Sequence, residues 1–214
     1  MILWKKNKAA GPDGFPIEFY QACWPIVKHD MLKVFSDFFH HKIDISRINY
    51  GIITLIPKGD DANVIQKFRP ICLLQVLFKI FTKVLTVRSE AVMHKIILNC
   101  QNAFSKGRFI HDGISLLHEI LREVKISKQQ GVILKIDFEK AYDKVNWGFL
   151  LDCCRQLGFS DRWLTWTKEV VSGGTLSVKT NDVVGPYFGS FKGVRQGVLL
   201  LPLCSTLLPI VLLK

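Results

Sequence analysis

Apolar and polar positions along this chain recur with two different periods, and each change of period marks an element. After the Gly- and Pro-punctuated stretch "AAGPDGFP", apolar residues return at helical spacing over residues 17–41, which predicts one long helix. The β-branched run "GIITLIP" stops at Pro57, "KGDDAN" has turn chemistry, and "FRPICLL" is extended because Pro70 disfavours helix at Arg69. Together these predict a basic β-hairpin with its tip near residues 59–63. Residues 74–97 and 113–128 read as helices joined by the polar connector "NCQNAFSKGRFIHD". An apolar strand run at 132–136 then passes through a cluster of acids into a helix whose apolar face includes Phe149, Leu150 and Leu157, and a further helix covers 161–171. "TLSVKT" and "VVGPYFGSF" read as two strands about a turn at Asn181 and Asp182, with Pro186 marking the second as bulged or at a sheet edge.

Composition narrows the class. With 49% apolar residues among 214 the chain can build a core, and 22% charged residues is ordinary for a globular protein. The 29 basic against 18 acidic residues leave a net charge of +11, which favours a polyanionic partner such as nucleic acid. Cys23, Cys72, Cys100, Cys153, Cys154 and Cys204 form no C-x-x-C and no paired Cys/His spacing, so neither a zinc site nor a disulfide framework is indicated and reduced thiols suit an intracellular protein. The start "MILWKKNK" is too short an apolar run for a signal-peptide core, and residues 198–213, though almost wholly apolar, are broken by Pro202 and Pro209. The expectation is a protein neither secreted nor inserted in a membrane, nuclear or cytoplasmic.

Three places carry candidate chemistry. Asp137 closes the apolar run at 132–136, where its carboxylate is held rigidly and needs a strong partner: a bound cation, a lysine such as Lys140 or Lys144, or backbone amides of the next helix start. Asp143, just ahead of the amphipathic run, suits helix capping. In "KGVRQG" the glycines permit close backbone approach to a ligand, while Arg195 and Gln196 supply donors for phosphate or base.

The order and spacing of five blocks resemble the reverse transcriptases of non-LTR, long-interspersed-element retrotransposons, most closely those of plants. The blocks are "KAAGPDGFPIEFYQACW", "NYGIITLIPKGDDANVIQKFRPICLLQVLFKIFTKVLTVR", "QNAFSKGRFIHDGISLLHEIL", "LKIDFEKAYDKVNWGFL" and "FKGVRQG". The resemblance implies an α+β right-hand polymerase fold, with residues 1–130 as a fingers-like region holding the N-terminal helix and basic hairpin and 131–214 as a partial palm, together one incomplete domain. It makes Asp137 the catalytic carboxylate and first ligand of Mg2+, with the Phe138 carbonyl beside it. The same resemblance implies that Lys58 and Arg69 grip the triphosphate of a deoxynucleotide, that Tyr142 packs under its sugar, and that Gln196 and Gly197 lie beside nucleotide and template. The partners implied are an RNA template and a DNA primer.

Two departures qualify this picture. Val198, Leu199, Leu200 and Leu201 replace the polar helix start that the family places after Gly197, and the family's aromatic-x-Asp-Asp motif and thumb do not occur within these 214 residues. The expectation is therefore a chain without polymerase activity by itself and, with an unpaired strand edge at 132–136, of poor solubility. The alternatives are a non-catalytic, basic nucleic-acid-binding remnant or a domesticated interaction protein.

Overall fold

The structure is a computed structural model that describes residues 8–96, 102, 107–128, 130–132, 140 and 142–195. Its class is α+β. Helices α1 (Ile17–Ala22) and α2 (Trp24–Phe39) lead to a sheet hairpin of β1 (Tyr50–Pro57) and β2 (Phe68–Leu74). Helices α3 (Val76–Ile96), α4 (Ile110–Ile126), α5 (Trp147–Gln156) and α6 (Asp161–Ser172) follow, and then the short strands β3 (Thr175–Thr180), β4 (Val183–Val184) and β5 (Phe188–Gly189). No helix among the described residues is long and apolar enough to cross a membrane.

The single helix expected over 17–41 is two helices. Pro25 has no N–H to give to the preceding turn, so the chain reorders at Cys23 (φ −88°, ψ 10°) and α2 restarts with the proline in its first turn. The expected hairpin is present, with Gly51 opposite Leu74 and Pro57 opposite Phe68 in antiparallel register. The turn at Asn181 and Asp182 is also present, both residues taking left-handed φ values of 49° and 63° as a two-residue hairpin requires. β4 ends the order β2-β1-β3-β4, β5 pairs with β3 as well, and Pro186 falls between these two short strands.

Local patterning does not show that β1 also pairs in parallel with β3, from Tyr50 opposite Thr175 to Thr54 opposite Lys179. This joins the hairpin to the C-terminal part of the described chain in one sheet. The expected strand at 132–136 and its edge lie mostly outside the described residues.

The core gathers α2, α3, α5 and α6 behind the sheet. Phe81 is stacked on Phe35 with centroids 5.1 Å apart and meets Phe38 edge-on at 4.4 Å, while Leu74, Phe78, Leu150 and Val170 are buried around them. Leu150 belongs to the apolar face expected of α5, and Leu157 packs partly against the core. Phe149 does not: it is 40% exposed, one residue and 100° away from Leu150 on the helix.

The helix cap expected at Asp143 is supplied instead by Asn146, whose Oδ1 accepts the Phe149 N–H at 3.0 Å, because α5 begins only at Trp147. Asn146→Ala is expected to cost about 1 kcal/mol of stability, read as a lower denaturation midpoint at unchanged slope.

Candidate nucleotide-binding cleft

The hairpin provides one wall of a cleft. Beyond the paired strands the Lys58 N–H donates to the Lys67 carbonyl at 2.8 Å, which carries the ladder to the tip, and Lys58 Nζ donates to the Gln66 carbonyl at 2.7 Å. Across the tip Lys67 Nζ meets Asp61 Oδ2 at 2.6 Å. These contacts shape a largely exposed loop that also carries the apolar side chains of Val64 and Ile65. Arg69 is exposed on β2, just beyond it.

The opposite wall is the loop before α5. The amides of Asp143 and Lys144 donate to the Lys140 carbonyl at 3.0 and 3.2 Å, with Lys140 at φ 50°. The segment ahead of residue 196 pins this loop in place: Val194 N donates to the Tyr142 carbonyl at 2.8 Å, Gly193 N to the Val145 carbonyl at 2.8 Å, and Trp147 Nε1 to the Gly193 carbonyl at 2.7 Å. Gly193 sits at φ 85°, and a Cβ there would lie 2.7 Å from the Asp143 carbonyl oxygen, so both its conformation and its neighbour demand glycine.

Between the walls lies a cleft of about 810 Å³ lined by Lys58, Phe68, Arg69, Lys140, Tyr142 and Asp143 among others. Three cationic side chains face one carboxylate, a balance that suits a phosphate-bearing ligand. Tyr142, half-buried, contributes an aromatic surface to this wall rather than to the core.

Lys58 and Arg69 of the hairpin and Tyr142, more than seventy residues later, thus line one cleft. Asp137, Phe138, Gln196 and Gly197 lie outside the described residues. Lys140 and Asp143 on the cleft wall were not singled out as ligand contacts. Their signal was the charged run "FEKAYDK", which sequence reasoning used only for capping and pairing.

Arg195 departs most from expectation. Rather than offering donors to a ligand, its guanidinium bonds to Asn49 Oδ1, to the Asn49 carbonyl at 3.3 Å and to the Val170 carbonyl at 3.3 Å, and it lies 5.5 Å from the centre of the Phe78 ring. Burial lowers its pKa from the ordinary arginine value, against the opposing influence of the Cys72 sulfur. Five donors in a planar fork can satisfy several buried carbonyls at once, which explains why an arginine is tolerated there.

The divalent ion implied by the resemblance does not fit the described side chains alone. Among those lining the cleft Asp143 is the single carboxylate, and among the described residues no three His, Cys, Asp or Glu side chains cluster to hold a metal.

Residues 56–211 match the family model described as "Reverse transcriptase (RNA-dependent DNA polymerase)". The chain is 28% identical over 195 residues to an uncharacterized 149 kDa protein of transposon TX1 from Xenopus laevis, covering 91% of this chain and 15% of that protein. It is 25% identical over 198 residues to the Pol polyprotein of type-1 retrotransposable element R2 from Nasonia vitripennis, covering 92% and 19%. It is also 26% identical over 157 residues to a probable RNA-directed DNA polymerase of transposon X-element from Drosophila melanogaster, covering 72% and 17%. The chain therefore spans under a fifth of the length of these relatives. With the matched model extending over well more than half of the 214 residues, the chain belongs to the reverse transcriptase family of RNA-dependent DNA polymerases.

Proposed function

We propose that the chain forms the fingers region and the first part of the palm of a retrotransposon reverse transcriptase, and that its cleft receives the incoming deoxynucleoside triphosphate. The observation that carries this reading is the convergence of Lys58, Arg69 and Tyr142 on one cleft from segments more than seventy residues apart. Lys58 and Arg69 bind the phosphates, and the Tyr142 ring packs under the sugar, where a 2′-hydroxyl would collide with it. An RNA template and a DNA primer complete the substrates. The family uses divalent metal ions; magnesium, held through Asp137 and the Phe138 carbonyl, rests on the motif "LKIDFEKAYDK". Gln196 and Gly197 are assigned beside nucleotide and template on the motif "KGVRQG", and the plant-type lineage rests on the five sequence blocks. Free thiols at Cys72, Cys153 and Cys154 accord with an intracellular setting.

Calorimetric titration of the purified chain with dATP tests the proposal. Arg69→Ala and Lys58→Ala are each expected to weaken binding by roughly tenfold or more, since losing a hydrogen bond to a charged group costs about 1.5–3 kcal/mol. Tyr142→Ala is expected to raise ATP affinity toward that of dATP. Equal dATP affinity in all variants refutes the cleft assignment. If dATP does not bind while duplex DNA binds with steep salt dependence, the non-catalytic nucleic-acid-binding remnant is the better reading.

A further inference from the structure

Residues 193–195 link the Tyr142 wall of the cleft to the start of the strand that carries the other wall at its far end. Their backbone holds the Tyr142 wall through the Val194 and Gly193 amides. The Arg195 side chain anchors the same segment to the base of β1: its partner Asn49 stands immediately before that strand, and Lys58 follows directly on the strand's opposite end. Asn49 is itself fully buried and fixed on every side. Its N–H donates to the Ser46 carbonyl at 3.0 Å, its carbonyl accepts the Thr175 N–H at 3.1 Å, and its Nδ2 donates to the Val170 carbonyl at 3.1 Å. Space for the guanidinium exists because residue 174 is glycine; a Cβ there would clash with both Arg195 Nη atoms.

We infer that Arg195 is a positioning residue whose guanidinium sets the spacing between the Tyr142 wall and the Lys58–Arg69 wall of the cleft. The inference rests on the nucleotide reading of that cleft and deepens it. A lysine cannot reproduce the link, since a single ammonium does not fork onto Asn49 Oδ1 and a carbonyl in one plane. A small change of spacing affects the two functions of the cleft unequally. Flexible cationic side chains follow a phosphate over an ångström, whereas exclusion of a hydroxyl by a ring depends on steep short-range repulsion. Loss of the link therefore acts on sugar selection before it acts on triphosphate affinity.

The test is the ratio of dATP to ATP affinity for the purified chain, measured for Arg195→Met, Arg195→Lys and Gly174→Ala, with a thermal melt of each. The third substitution leaves the arginine present but displaced. The expected result is a loss of dATP preference on the order of tenfold in the methionine and alanine variants, with a smaller change in dATP affinity itself. Arg195→Lys keeps the charge and most of the stem packing, so it gives the reading if the methionine variant melts below the assay temperature, and it too is expected to lose preference. Variants that melt cooperatively and keep the unsubstituted ratio overturn the positioning role alone. An unsubstituted chain that binds dATP and ATP equally, or neither, overturns the nucleotide reading on which the role depends.

Discussion

Replacing Phe81 by alanine is expected to lower the stability of the chain by about 3–5 kcal/mol, the range found for emptying a phenylalanine site in a packed core. Phe81 is 1% exposed and is held between the Phe35 and Phe38 rings, so its removal forfeits both ring pairs along with the buried area. The three rings come from α2 and α3, which cannot close the gap without giving up contacts to Trp166 on α6, 5.8 Å from Phe38. Against a total stability of about 5–15 kcal/mol for an ordinary domain, this is a large fraction. Urea denaturation is expected to show a lowered midpoint with little change in slope; a midpoint unchanged within error contradicts the assignment of Phe81 to the centre of the core.

Gly193→Ala comes second, at about 2–4 kcal/mol, because two effects add. An L-residue held at the left-handed φ of 85° costs about 1–2 kcal/mol, and the new Cβ must also push the Asp143 backbone from 2.7 Å. Gly158 separates the two effects. It has φ 83° with nothing near its missing Cβ, so Gly158→Ala is expected to cost only the conformational part. Gly193→Ala is further expected to weaken nucleotide binding, since the displaced loop carries Tyr142 and Asp143, whereas Gly158→Ala leaves binding alone. Equal destabilisation by the two substitutions would show that the Gly193–Asp143 approach is not tight.

Elements defined by nearby residues were legible in the sequence. Pro57, the polar tip and Pro70 announced the β1–β2 hairpin, apolar spacing announced α3 to α6, and Asn181–Asp182 announced its turn. The features missed depend on what arrives from elsewhere in the fold. Whether Pro25 interrupts a helix or merely bends it turns on packing as well as on its absent donor. Phe149 has the same apolar chemistry as Leu150, and only the location of the core decides which of them is covered. Asp143 and Asn146 are both competent caps, and a shift of three residues in the helix start selects between them.

The candidate site divides along the same line. Motif order alone grouped Lys58, Arg69 and Tyr142, which line one cleft, since no local pattern places a hairpin tip against a loop some eighty residues later. Arg195 was misread for the complementary reason. An arginine beside a glutamine in a glycine-flanked run reads as a ligand contact on a loop, and its burial depends on the carbonyls of Asn49 and Val170, which are distant in sequence.

The parallel pairing of β1 with β3 bears on how the protein is made. The two strands are separated by roughly 120 residues, so at a synthesis rate of about 5–20 residues per second the partner of β1 leaves the ribosome some 6–24 s after it. Throughout that interval the hairpin has a finished ladder on one side and a bare row of amides and carbonyls on the other. The nascent chain therefore passes through a stage in which its best-formed unit is also its most adhesive, and a holding chaperone would act at that stage.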